Sequence, residues 1–309
     1  MADPLLVTSA AAAIAGSTGV LTTATGELLL EKTGVYNISL EGVMLVGALS
    51  GFLAARATDS WVIGLVAGAL IGALFALIYG YLTIILRADM IVVGVAMILI
   101  ATGVVDSIGA DYVGEAAASQ IPNWHVPGLS DIPYVGPAVF EQSIMTYVAF
   151  LLPIGAWWLL SRTRHGLNMQ AIGENPAAAD NAGIAVVGWR LTYTAIGGAF
   201  AGVGGAILTL SIVGSWVSSV TAGQGWIAFA LVFFAGWRPL LVLVGAYLFG
   251  ALTVLGFVGQ AEGWDIPSQV FTGLPYAATV LLMILRAWLQ RRRGVTSWPA
   301  ALGLPFYRG

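Results

Sequence analysis

Charged residues are so sparse in this chain that the gaps between them constrain its fold more than any other feature. Residues 4–26, 60–86, 90–105, 142–161, 239–261 and 266–285 carry no charge, and residues 35–55 carry only Glu41. Residues 191–237 are also uncharged, long enough for two crossings and a turn. A helix that spans a bilayer needs about 20 mostly apolar residues. The spacing therefore predicts nine crossings, at about 5–25, 35–55, 61–84, 90–108, 143–161, 190–212, 222–236, 239–258 and 269–288. Only 9% of the residues are charged and 59% are hydrophobic, whereas a soluble domain carries roughly 25% charged residues. The mean hydropathy is +0.90. These values exclude a soluble globular protein, a disordered chain and a nucleic-acid binder. The net charge of −3 leaves no basic surface for polyanions.

The expected architecture is all-α and polytopic, a single membrane domain over 1–309 with about nine spans. An outer segment, 109–141, and an inner loop, 162–189, interrupt it. Glycine is abundant, 40 of 309 residues, which suits helices packed closely in lipid. Cysteine is absent, so disulfides, thiol catalysis and cysteine metal sites are excluded. Lys and Arg gather at cytoplasmic ends. The nine spans put Lys32, Arg87, Arg162, Arg164, Arg190, Arg238, Arg286, Arg291, Arg292, Arg293 and Arg308 on one side and only Arg56 on the other. The N-terminus is therefore expected outside and the C-terminus in the cytoplasm. No basic residue precedes Lys32, so the first apolar run reads as a retained helix rather than a cleaved signal.

Gly26-Glu-Leu-Leu-Leu-Glu-Lys32-Thr33 nearly matches a phosphate-binding loop, but Glu31 replaces the second glycine and would repel phosphate. Nucleotide binding is not expected, and any ATPase would be another chain. Asn37-Ile-Ser39 has the pattern of a glycosylation sequon but falls at or in the membrane. Glu41 lies inside an otherwise apolar span with Asn37 and Ser39 nearby and Gly34 and Gly42 around it. A carboxylate at membrane depth faces a bundle interior or an aqueous cavity. Glu41 can cap a neighbouring helix, contact a substrate or carry a proton. Gly64, Gly68 and Gly72, and likewise Gly198, Gly202 and Ala206, share one helix face each and predict close packing within the chain. In the inner loop, Asn175 is a good N-cap, Pro176 suits the first helical position and Gly183 the C-terminal stop. A helix this short needs a bundle or a docked partner to hold it. No motif for hydrolysis, metal ligation or acid–base work is present.

Three segments carry a family likeness. Gly26 to Gly47, Gly173-Glu-Asn-Pro-Ala-Ala-Ala-Asp-Asn-Ala-Gly-Ile184 and Gly225-Trp-Ile-Ala-Phe-Ala-Leu-Val-Phe-Phe-Ala-Gly-Trp-Arg-Pro239 resemble signatures of bacterial ABC importer permeases for nucleosides, simple sugars and branched-chain amino acids. Leu274-Pro-Tyr-Ala-Ala-Thr279 adds a weaker fourth, and the early signature leans towards the nucleoside branch. The resemblance implies a type II-like ABC importer bundle in the bacterial cytoplasmic membrane. It implies a second permease subunit, two ATPase domains that carry ATP and magnesium, and an extracytoplasmic substrate-binding protein. It also implies that Gly173, Glu174, Asn175, Pro176, Asp180 and Gly183 dock on an ATPase. The expected substrate path comprises Asn37, Ser39, Glu41, Trp216, Ser218, Thr221, Gln224 and Trp226, polar groups among aromatics suited to a base and a sugar. A simple-sugar or branched-chain amino acid permease is the alternative, and a proton-coupled secondary transporter using Glu41 a more distant one.

Overall fold

In the computed structural model, residues 4–264, 267–293 and 298–307 are described. Arg308, counted above among the cytoplasmic basic residues, lies outside them. The elements are α1 (Pro4–Glu31), α2 (Leu40–Thr58), α3 (Trp61–Gly80), α4 (Met90–Gly109), α5 (Ile144–Arg162), α6 (Arg164–Glu174), α7 (Pro176–Asn181), α8 (Val186–Ile207), α9 (Gln224–Ala235), α10 (Pro239–Ala261) and α11 (Ser268–Arg293). Among the described residues there are no strands, only the isolated bridges Ala116–Ser215 and Asn123–Ser143.

Seven described helices are long and apolar enough to cross a membrane, against the nine expected from charge spacing. The difference lies near the C-terminus. Residues 222–236 were expected to cross, but α9 has 12 residues. At a rise of about 1.5 Å per residue it covers roughly 18 Å, against a hydrocarbon core of about 30 Å. Residues 269–288 do lie within α11, which is not among the seven.

Two more boundaries move for a shared reason. α1 continues past residue 25 to Glu31, so Glu27 and Glu31 are fully buried in it. α2 begins at Leu40, and residues 34–39 form a non-helical leg that opens on Gly34 at φ +86°. The leg returns alongside α1: the Asn37 amide donates to Glu27 Oε1 at 2.7 Å. The Trp237 indole N–H donates to Glu31 Oε2 at 2.5 Å. Reading charges as span ends failed here because each carboxyl group takes one hydrogen bond from a later part of the chain, Glu27 from Asn37 and Glu31 from Trp237, instead of from water.

The centre of the bundle is α8, packed along α1, α2 and α3. Glycine makes that approach possible. A Cβ on Gly202 would collide with the Gly68 carbonyl, one on Gly72 with the Gly198 carbonyl, and one on Gly205 with the Met44 carbonyl. The two small-residue faces thus meet each other, within the chain as expected of such packing surfaces. Apolar side chains of α3 and α4 such as Leu70, Leu74, Val92 and Leu99 remain exposed, as a lipid-facing wall requires.

At one end of the bundle α6 and α7 cross between α5 and α8. α6 was not expected from the sequence. Ile172, Ala179 and Val186 form a small core there, against which Phe306 packs. The segment 298–307 straps this region: the Ala301 amide donates to Gly173 O at 2.8 Å and the Gly303 amide to Gly34 O at 3.0 Å. The buried Arg190 donates to Thr33 O and Leu304 O, each at 3.1 Å. At the other end, Arg56 pairs with Glu115 of the 109–141 segment. His125 and Glu141 lie 3.5 Å apart within that segment.

Candidate functional site

The charge most unusual for a membrane span, Glu41, sits in the first turn of α2. Its Oε1 accepts the Thr221 hydroxyl at 2.6 Å and the Gly223 amide at 3.0 Å, and its Oε2 accepts the Gly225 amide at 2.7 Å. Gly223 and Gly225 bracket the start of α9, so Glu41 satisfies donors that a helix N-terminus leaves unpaired. Its negative charge also complements the positive end of that helix. Of the roles open to Glu41 on sequence grounds, the capping one is what the hydrogen bonds describe.

The segment that Glu41 holds is conformationally demanding. Gly214, Ser219, Ala222 and Gly223 all have positive φ, at 68°, 54°, 45° and 83°. Two of them carry a Cβ, which makes left-handed backbone costly. The segment is pinned at its other end by the 109–141 segment, through Gly114 and Ala117 amides donating to Trp216 O and Gly214 O, each at 2.9 Å. α9 then runs from Glu41 to Glu31, because the Trp237 indole just past its C-terminus binds Glu31. A helix of roughly 18 Å that ends where α10 begins is too short to cross a hydrocarbon core of about 30 Å by itself. Helices broken at membrane depth line cavities rather than lipid.

The residues expected on a substrate path separate into three groups and one outlier, Trp216. Glu41, Thr221 and Gln224 come together at the start of α9, and the Gln224 Oε1 is buried without a hydrogen-bond partner. Asn37 and Ser39 are buried and largely occupied with each other. Asn37 Oδ1 accepts the Ser39 amide at 3.0 Å and its hydroxyl at 2.6 Å, leaving only the Asn37 Nδ2 without a partner. Ser218 and Trp226 are exposed. Trp216 is 1% exposed, and its indole N–H donates to Gly109 O at 2.9 Å while its ring lies against Phe52. It packs in the interior at the end of the bundle that carries the 109–141 segment. Two cavities, one lined by Thr25, Leu29 and Phe200 and the other by Lys32, Trp157 and Arg238, contain none of these path residues.

The inner-loop geometry matches its sequence signals. Asn175 Oδ1 accepts the Ala178 amide at 3.0 Å, Pro176 opens α7, and Gly183 takes φ +85° with open space where a Cβ would stand. Gly173 lies so close to the Lys32 carbonyl that no side chain fits. Glu174, Asn175 and Gly183 are exposed, and Pro176 and Asp180 partly so. α7 is therefore seated through Ala179 and presents its other side outward. Among the described residues no group of His, Cys, Asp or Glu is arranged to hold a metal ion.

Sequence reasoning missed Glu27, Glu31 and Arg190 as interior polar groups, having left the two glutamates between the first two spans and Arg190 at the cytoplasmic start of a later one. The signal available was the spacing of the two glutamates, one helical turn apart and continuous with an apolar run. It also missed the 298–307 strap, whose hydrogen bonds to Gly34, Gly173 and Arg190 are all distant in sequence.

Comparison with known proteins follows the same outline. Residues 9–287 match the family model described as branched-chain amino acid transport system / permease component. A putative glucose ABC transporter permease protein of Haloferax volcanii is 39% identical, covering 81% of this chain and 77% of the relative. A nucleoside ABC transporter permease protein of Lactococcus lactis is 36% identical, covering 87% and 89%. A guanosine ABC transporter permease protein of Bacillus subtilis is 34% identical, covering 94% and 93%. No solved structure matches the chain.

Proposed function

The chain belongs to the branched-chain amino acid transport system / permease component family, and from that premise we propose that it forms a membrane path through which an ATP-driven importer moves nucleosides. It is a multi-pass membrane permease of an ABC transporter and works with ATPase and substrate-binding partners. ATP and magnesium belong to the ATPase, a separate subunit. The second permease is a paralogue of this chain. The orientation that fits the basic residues has the N-terminus outside and the α6–α7 end in the cytoplasm.

The observation that carries the transport reading is the meeting of α2 and α9 at Glu41. Two helix starts, one bridging carboxylate and an unpartnered Gln224 oxygen gather polar groups at one point where α2 and α9 meet. Asn37, Ser39, Glu41, Thr221 and Gln224 would border the path, with Ser218 and Trp226 towards its mouth. Few polar groups and an aromatic suit a cargo that must be released as well as admitted. Gly173, Glu174, Asn175, Pro176, Asp180 and Gly183 would meet the ATPase, because α7 is capped, seated and outward-facing. The nucleoside assignment rests on the Lactococcus and Bacillus relatives. The Haloferax relative favours a simple sugar as the second reading.

The test is uptake by the assembled transporter of labelled nucleoside and labelled glucose, with Asn37→Ala, Glu41→Gln and Trp226→Ala compared with wild type. Nucleoside uptake that falls in these variants while basal ATPase activity and assembly persist supports the path. Wild-type rates and selectivity in all three would place the path elsewhere. Glucose uptake without nucleoside uptake would overturn the cargo alone.

A further inference from the structure

A cavity of about 360 Å3 opens on the flank of the bundle at the end that carries α6 and α7. Its lining is of two kinds. Lys32 and Arg238 supply two cations, while Trp157, Leu240 and Leu241 supply an apolar rim. Those three rim residues are each about two-fifths exposed, so the apolar side faces outward, where the acyl chains of a bilayer would lie.

The two cations sit close enough to affect each other. Burial lowers the Lys32 pKa from its ordinary value, and Arg238 adds to that lowering; Glu174 and Glu31 oppose it without offsetting it. Lys32 stands just past the end of α1, partly buried, and among the described residues no carboxylate oxygen lies within ion-pair distance of its ammonium or of the Arg238 guanidinium. The buried Glu31 accepts the indole N–H of Trp237, which lines the cavity. Two like charges facing one cavity without a bonded counterion attract an anion. Basic pockets between helices at the cytoplasmic surface suit anionic lipid headgroups.

We propose that this cavity between α1, α5 and α10 binds an anionic phospholipid, its phosphate between Lys32 and Arg238 and its acyl chains along Trp157, Leu240 and Leu241. The charge and the apolar rim are both needed for this occupant. A free phosphate would use the cations and leave the rim bare, and a zwitterionic lipid would use the rim while bringing its own cation to the pocket. With the cytoplasmic orientation proposed above, the site lies in the leaflet richer in anionic lipid.

Native mass spectrometry of the assembled transporter, titrated in parallel with phosphatidylglycerol and phosphatidylcholine, tests this. Wild type should retain phosphatidylglycerol in preference. Arg238→Gln should lower its retention about fivefold, and Lys32→Gln with Arg238→Gln roughly thirtyfold, leaving phosphatidylcholine unchanged. Arg238 is exposed, so its variant decides the matter even if the double variant does not assemble. Equal retention of the two lipids, or phosphatidylglycerol retention in Arg238→Gln equal to wild type, overturns the proposal. Displacement of the bound lipid by inorganic phosphate at comparable concentration would assign the pocket to free phosphate and likewise overturn it.

Discussion

At the scale of single residues, Glu41 shows how a costly charge becomes a structural necessity. It accepts one hydroxyl and two amides, and hydrogen bonds to an ionised group contribute about 1.5–3 kcal/mol each. Glu41→Ala would leave the Thr221 hydroxyl and the Gly223 and Gly225 amides without their acceptor, and release a segment with left-handed Ser219 and Ala222. It is expected to destabilise the permease by about 2–4 kcal/mol, while Glu41→Gln, which keeps one acceptor oxygen, costs about half as much. Thermal unfolding of the purified transporter in lipid nanodiscs measures both. An alanine variant that unfolds at the wild-type temperature would show that the cap is dispensable.

At the scale of elements, two glycines with different reasons give two different outcomes. Gly183 ends α7 at φ +85° with open space around the missing Cβ. Gly183→Val meets only backbone strain, about 1–2 kcal/mol, and Gly183→Asn less, since Asn tolerates that conformation. If α7 couples to the ATPase, valine should depress substrate-stimulated ATPase activity while asparagine preserves most of it. Normal stimulation in the valine variant counts against coupling through α7. Gly202 lacks a side chain for another reason: its Cβ would strike the Gly68 carbonyl of α3. Gly202→Val should cost about 3 kcal/mol or more through overpacking, seen as loss of folded protein in the membrane fraction. Gly103→Val in α4, where nothing lies within 4 Å, is the matched control and should accumulate normally.

At the scale of the whole molecule, the α6–α7 end is joined to the rest by contacts remote in sequence: Gly173 to Ala301, Gly34 to Gly303, and Arg190 to both Thr33 and Leu304. A push on α7 would reach α1 and α8 through these bonds, not through α7 alone. Uptake by the reconstituted transporter should therefore require ATP and the binding protein and should survive collapse of the proton gradient while ATP is maintained. Uptake that follows an imposed pH gradient without the ATPase would make Glu41 a proton carrier and displace the importer reading.

What was legible in the sequence was whatever depends on composition or short-range spacing. Apolar runs between charges define most of the helices, because burying an uncharged segment in lipid is decided segment by segment. Asn175, Pro176 and Gly183 mark the ends of α7, because caps and left-handed stops are local devices. The two small-residue faces of α3 and α8 could be read as packing surfaces from a four-residue repeat. What only the tertiary structure decided was the fate of each buried polar group. Glu27 and Glu31 sit inside α1 because Asn37 and Trp237 return to meet them. α9 stops short of a full crossing because Glu41, far away in sequence, caps its start. Trp216, by composition as good a lining residue as Trp226, is buried against Phe52 and bonded to Gly109. A polar atom in an apolar medium must find its partner wherever the fold brings one, and the linear spacing of residues does not say which distant segment that will be.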